Sequence, residues 1–171
     1  SELGDIETCG EIYFNVVSAG CHLNLTLAAL IHAYGSCSRM VNAQAIFDNL
    51  VDPDVVIWST LIAGYCREGN SMACLERFKS MEIVGIKPDR VTALCLMTAC
   101  GNMGDIKEGR LMHAYICRCF LRQDMILDSA LIDMYAKCGD TYDASRIFNM
   151  LSFKDVVTWG AMIACYARHG H

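Results

Sequence analysis

Thr60-Leu-Ile-Ala-Gly-Tyr65 is the stretch around which the whole chain is organised. It returns as Ala29-Leu-Ile-His-Ala-Tyr34, Ala130-Leu-Ile-Asp-Met-Tyr135 and Ala161-Met-Ile-Ala-Cys-Tyr166, with Cys95-Leu-Met-Thr-Ala-Cys100 as a degenerate fifth copy. The last residues of these copies step by 31, 35, 35 and 31. Phe47, Phe78, His113 and Phe148 form a second series, spaced 31, 35 and 35, and Asp54, Asp89, Asp124 and Asp155 a third, spaced 35, 35 and 31. Three series on one count mark a repeat protein, with units opening near Asn24, Val55, Arg90, Met125 and Val156.

Within a unit the apolar residues keep a helical period twice. Trp58, Leu61, Ile62 and Tyr65 fall on one helical face; Glu68-Gly-Asn70 interrupts; then Met72, Leu75, Phe78, Met81 and Ile83 resume the period. Lys137-Cys-Gly-Asp140 and Arg168-His-Gly170 repeat that interruption, and Gly85-Ile-Lys-Pro-Asp89 closes a unit, since Gly ends a helix and Pro blocks its continuation. Each unit is therefore expected to be a helical hairpin. A lone hairpin cannot bury its apolar stripe, so stacked hairpins sharing one core predict an all-α, right-handed α-solenoid that uses its concave side for binding. Trp58, Trp159 and the repeated tyrosines are expected in the core between hairpins.

Of the 171 residues, 54% are apolar and 19% charged, enough to bury a core and to exclude disorder for most of the chain. A net charge of -5 argues against electrostatic adhesion to nucleic acid or acidic membrane, so any nucleic acid must be held by specific contacts. The 11 cysteines sit in helical stretches such as 92–100, which fits a reducing compartment where Cys packs as a small hydrophobe. Ile12 to Ser38 carries no charge, yet Asn15, Ser18, Gly20, His22, Asn24 and His32 interrupt it, so two buried helices with a turn near Gly20 to Asn24 are expected, not a membrane span. The opening at Ser1 and the half-units at both ends read as a piece of a longer array. Cys117-Arg-Cys119 and His113 are the nearest approach to a metal site, and packing is the commoner role for such spacing. No hydrolase, nucleotide-binding or deaminase signature is present, so no enzymatic activity, cofactor or small-molecule substrate is expected.

A two-helix unit of about 34 residues also suits a tetratricopeptide repeat. Asp54-Val-Val-Ile-Trp-Ser-Thr-Leu-Ile62, Ser129-Ala-Leu-Ile-Asp-Met-Tyr-Ala-Lys-Cys-Gly139 and Lys154-Asp-Val-Val-Thr-Trp-Gly-Ala-Met-Ile163, however, resemble the pentatricopeptide repeat family of plant organelles, and the 31/35 alternation resembles its subclass with P, L and S repeats. On that resemblance, residues 1–23 are a partial L repeat, 24–54 an S repeat, 55–89 a P repeat, 90–124 an L repeat, 125–155 an S repeat and 156–171 a partial P repeat.

The resemblance implies binding of single-stranded RNA, one base per unit, read by the fifth and last residues. Those pairs are Ser59 with Asp89, Leu94 with Asp124, Ser129 with Asp155, and Ala28 with Asp54; Gly160 takes the fifth place of the last unit. The family's code gives guanine opposite 55–89 and 125–155, and an Asp carboxylate that only accepts hydrogen bonds suits the N–H donors of guanine. The first unit reads one residue short around Leu27-Ala28-Ala29, which leaves its fifth place as Ala28 or deleted, and Leu94 assigns no base. Second-place Val56, Val91, Ile126 and Val157 would stack on bases, and thirteenth-place Arg67, Lys137 and Arg168 would meet phosphates.

Each of these residues also has a purely structural role open to it. The aspartates suit helix N-caps, the serines the first helical turn, the valines the core, and the cations helix C-termini. The resemblance further implies a chloroplast or mitochondrial protein in C-to-U RNA editing or transcript processing, with accessory editing factors on the L repeat. The alternative is a scaffold that binds only protein.

Overall fold

The computed structural model describes residues 24–119 and 124–170. The half-unit expected before Asn24, with the turn near Gly20, lies outside the described residues. Among those described there are nine helices and no strand: α1 (Asn24–Ser36), α2 (Met40–Asp48), α3 (Val55–Arg67), α4 (Ser71–Ile83), α5 (Arg90–Met103), α6 (Ile106–Arg118), α7 (Met125–Lys137), α8 (Thr141–Met150) and α9 (Val156–Arg168). The odd-numbered helices are the first helices of the units and open at Asn24, Val55, Arg90, Met125 and Val156.

The hairpin turn is written locally. After α3, Gly69 takes the left-handed conformation (φ 77°), so that Gly69 N–H donates to Cys66 O and Asn70 N–H to Tyr65 O at 3.0 Å. This pair of bonds is the Schellman closure, which satisfies carbonyls the helix would otherwise leave open. Asn70 then turns its side chain the other way and caps α4, accepting from Ala73 N–H at 3.2 Å. Gly139 (φ 82°) and Asp140 repeat the device: Asp140 N–H donates to Tyr135 O at 2.9 Å and its carboxylate caps α8 by accepting from Asp143 N–H at 3.0 Å. One residue thus ends the first helix and starts the second. The tyrosine that closes the hexapeptide supplies the carbonyl, which is why the motif ends where it does.

The first described hairpin departs from this recipe. Ser38 holds the left-handed place with φ 55°, Arg39 N–H still reaches Tyr34 O at 2.9 Å, and Arg39 offers α2 no side-chain cap. A Cβ in that conformation costs roughly 1 kcal/mol. Ser38→Gly is therefore expected to raise stability by about 0.5–1 kcal/mol in denaturant unfolding, whereas Gly69→Ser should lower it by a similar amount.

The described residues fall into two compact units, divided between Asp89 and Arg90. In the first, α1 packs on α3, α2 and α4 each pack on the first helix of their own hairpin, and α2 also touches α3. Ile57, Leu61, Ile62, Cys74, Phe78 and Met81 are wholly buried there, and the Phe47 ring meets Trp58 edge-on with centroids 4.5 Å apart. In the second, α5, α7 and α9 stack in order, and α6 and α8 each bridge their own first helix and the next. Leu96, Met97, Cys100, Ile132, Ala144 and Cys165 have no exposed surface. At Gly101 a Cβ would stand 3.1 Å from Lys137 Cδ and 3.3 Å from Met134 Cα, so the missing side chain lets α5 approach the backbone of α7.

Burial settles two roles left open by periodicity. Trp58 is core at 4% exposed, as expected, but Trp159 keeps its edge-on contact with Phe148 (4.8 Å) while 52% of it faces solvent. Cys74, Cys95, Cys100 and Cys165 are buried in these cores, and burial pushes the Cys100 thiol up to about 12, so it stays protonated and packs as a hydrophobe. None of the described helices is long and apolar enough to cross a membrane.

Candidate nucleic-acid interface

Places two, five, nine and thirteen of a first helix lie three to four residues apart and so share one face. At place two the structure exposes every apolar residue: Val56, Val91, Ile126 and Val157 are 46–65% accessible. Leu25, which holds the same place in α1 and which the sequence reading passed over, is 72% accessible. Counting one residue past Asn24 would have found it. The neighbours at place three, Ile57, Thr92, Leu127 and Thr158, are 0–2% exposed, so the apolar face of the helix is already filled by other residues. The second-place side chains are not core.

Place five varies in burial from helix to helix. Ser59 and Ser129 are buried, and each hydroxyl donates to its own helix, Ser59 to Val56 O at 3.1 Å and Ser129 to Met125 O at 2.7 Å. With the proton spent on the backbone, each oxygen keeps only acceptor capacity for anything else. Leu94 is half-buried and Gly160 exposed. α1 is described from Asn24 onward, and Ala28, the candidate for its fifth place, is 5% exposed. The unit loses its residues relative to the 35-residue ones after the first helix, where α2 has 9 residues against 13 in α4.

Place thirteen is tied to place nine of the preceding or same helix. Arg67 Nη1 donates to Ser36 Oγ at 3.0 Å and lies 3.3 Å from His32 Nε2, with no carboxylate partner among the described residues. Lys137 pairs with Asp133 at 2.7 Å, and Arg168 lies 3.8 Å from the same carboxylate. Exposed pairs of this kind contribute little to stability, so the cations remain available to a stronger anion. Of the three, Arg67 offers its charge most openly.

The last-place aspartates are half-buried, and three of them cap the next first helix. Asp54 Oδ1 accepts from Ile57 N–H at 3.0 Å. Asp124 Oδ1 accepts from Ile126 and Leu127 N–H at 2.9 and 3.4 Å. Asp155 Oδ1 accepts from Thr158 N–H at 2.8 Å and from the Thr158 hydroxyl, and these bonds hold its carboxyl below the usual carboxylate range. Capping uses one oxygen only. The capping role and the base-reading role are therefore compatible on one residue.

His113 Nδ1 lies 2.9 Å from Tyr135 Oη, and no cluster of three or more potential ligands exists among the described residues.

Two-helix hairpins that pack through their first helices within each compact unit, with the same exposed aliphatic and polar places repeated on each first helix, define a helical-repeat protein. The PPR repeat family matches residues 53–102, and the PPR repeat matches 129–156 and 157–171. The chain belongs to the pentatricopeptide repeat family. A pentatricopeptide repeat-containing protein of Arabidopsis thaliana named as mitochondrial is 35% identical over 143 residues, covering 84% of this chain and 24% of its own length. A second Arabidopsis thaliana relative, named as chloroplastic, is 37% identical over 142 residues, covering 83% of this chain and 18% of itself. The chain thus spans about a quarter or less of these relatives. The crystal structure of the pentatricopeptide repeat protein PPR10 from maize shares the fold, with a TM-score of 0.74 at 20% identity over 94% of this chain and 24% of that one. PPR10 in complex with an 18-nt psaJ RNA element matches with a TM-score of 0.67 at 21% identity, over 90% of this chain and 24% of that one.

Proposed function

We propose that this chain binds single-stranded RNA through its first helices, one base to a unit, and takes no catalytic part itself. The observation that carries this reading is the exposure of Leu25, Val56, Val91, Ile126 and Val157 at one repeated place, the last four beside third-place residues that are buried. A soluble helix gains nothing from a repeated exposed aliphatic unless something apolar and periodic covers it, and a strand of unstacked bases is such a surface. Units 24–54, 55–89, 90–124, 125–155 and 156–171 act as S, P, L, S and partial P repeats. Base identity is read by Ser59 with Asp89 and by Ser129 with Asp155. Both members of each pair are acceptors, since the serine protons are spent on helix carbonyls, and guanine is the base whose pairing edge offers N1–H and N2–H donors together. Arg67 is the leading phosphate contact, with Lys137 and Arg168 beside it.

The likeness to relatives named mitochondrial and chloroplastic supports an organellar role in C-to-U editing or transcript processing. A groove of about 790 Å3 lined by His113, Ile116, Leu131, Ile147, Met150 and Phe153 supports a protein partner, such as an accessory editing factor, alongside unit 90–124.

Ile126→Ser and Val157→Ser test the stacking role. Both residues are exposed, so unfolding should shift by less than about 0.5 kcal/mol, while RNA affinity in fluorescence anisotropy falls by roughly 1 kcal/mol, about fivefold. RNA affinity that survives both changes would remove the base-stacking assignment. A protein-only scaffold is distinguished by salt: RNA binding should weaken with a log-log slope of about -0.7 per neutralised phosphate.

A further inference from the structure

The last-place aspartates differ in what holds their second oxygen. Asp54 Oδ2 accepts from the Asn24 amide, Nδ2 to Oδ2 at 3.0 Å. Asp124 Oδ2 is paired with Arg90 Nε at 2.7 Å. Asn24 and Arg90 are both the first residue of the unit that the aspartate ends. Asp155 ends the unit opened by Met125, whose thioether offers no comparable donor, and its carboxylate is held from its own capped helix, by the Thr158 N–H and hydroxyl with the Val157 N–H beside them. The comparison is internally controlled. Asn24 with Asp54 and Met125 with Asp155 have the same sequence separation, and in both cases the first residue opens a first helix that packs against the helix the aspartate caps.

The fifth places follow the same division. The two units whose aspartate is held by the first residue of the same unit, through Asn24 and Arg90, carry Ala28 and Leu94, which cannot hydrogen-bond a base through their side chains, whereas unit 125–155, with no donor side chain at its first place, carries Ser129. Unit 55–89 pairs an apolar first residue, Val55, with Ser59. Polar first residue with apolar fifth, and apolar first with polar fifth, are the two combinations present in the four complete units.

We infer that the first-place side chain is a specificity-determining residue: a donor there ties up the last aspartate and silences the unit, and an apolar residue leaves the carboxylate to a base. The inference rests on the base-reading role proposed above. Asn24 and Arg90 are positioning residues, acting on the RNA through Asp54 and Asp124. A carboxylate oxygen already holding a charged or amide donor has part of its charge neutralised and one lone-pair direction filled, which weakens the discrimination it would otherwise supply for guanine.

The test uses the 171-residue chain and RNAs that differ only by guanine or adenine opposite unit 125–155. Met125→Asn copies the first residue of unit 24–54, and Met125→Leu keeps the place apolar; Met125 is 40% exposed, so both should fold, and thermal melts check it. The native chain and Met125→Leu should prefer guanine by on the order of tenfold, and Met125→Asn should fall to about twofold or less. Retention of the full preference by a folded Met125→Asn would overturn the gate and leave base reading intact. Absence of any guanine preference in the native chain would overturn base reading at this unit and the gate with it. In the opposite direction, Leu94→Ser should gain no guanine preference opposite unit 90–124, while Leu94→Ser with Arg90→Met should gain one. Equal gain by the single variant would show that Arg90 silences nothing.

Discussion

Asp155→Asn is expected to exchange guanine for adenine opposite unit 125–155. The carboxylate can only accept, whereas an amide presents both a donor and an acceptor and so suits the N1 acceptor and N6 donor of adenine. The exchange also leaves the fold in place, because Asn is as good an N-cap as Asp and its side-chain oxygen can accept from Thr158 N–H as Oδ1 does at 2.8 Å. Asp155→Ala separates the two roles. It should lose both the base preference and about 1 kcal/mol of stability through the lost cap, whereas Asp155→Asn loses only the preference for guanine. Two short RNAs, each titrated against three chains by anisotropy, read the result. The same exchange at Asp89 should act on unit 55–89, where Ser59 occupies the fifth place. An Asp155→Asn chain that still prefers guanine would mean that the carboxylate is a cap and no more.

Phe78→Ala should cost about 3–5 kcal/mol, the largest stability effect expected from a single change in the chain. The ring is wholly buried in the core of the first unit, with Leu61, Ile62 and Met81 also at 0% exposure in the same hairpin. Truncation removes the apolar contacts of an aromatic ring and leaves a cavity that close-packed helices fill only in part. For a domain of marginal stability that loss approaches the whole margin. Hydrogen exchange should therefore show α3 and α4 opening first, since a repeat stack holds each hairpin chiefly through its neighbours. Val56→Ala, 47% exposed on the adjoining face, is the control and should move the unfolding midpoint by less than about 0.5 kcal/mol. Comparable losses from the two would contradict the division between core and binding stripe.

Helices and turns were open to reading from the chain alone because their causes are local. A tyrosine carbonyl, a glycine two places beyond the helix and an Asn or Asp after it close one helix and open the next, all within six residues. The hexapeptide spacing then counts the units, since a hairpin that hides its apolar stripe only against a copy of itself imposes the same length on each. Family membership followed from the same repeated residues. Sequence periodicity was silent wherever the answer was a contact between units. It left Val56 and its equivalents divided between core and surface, because an aliphatic residue at helical spacing suits both, and only the filled third places decide the matter. It missed Leu25. Nor did it show that Asn24 and Arg90 hold the carboxylates of Asp54 and Asp124 while Met125 offers Asp155 no such donor. Those partners are about thirty residues apart along the chain and meet only when first helices pack side by side, so which aspartates are held from a neighbouring first helix is decided by the tertiary structure.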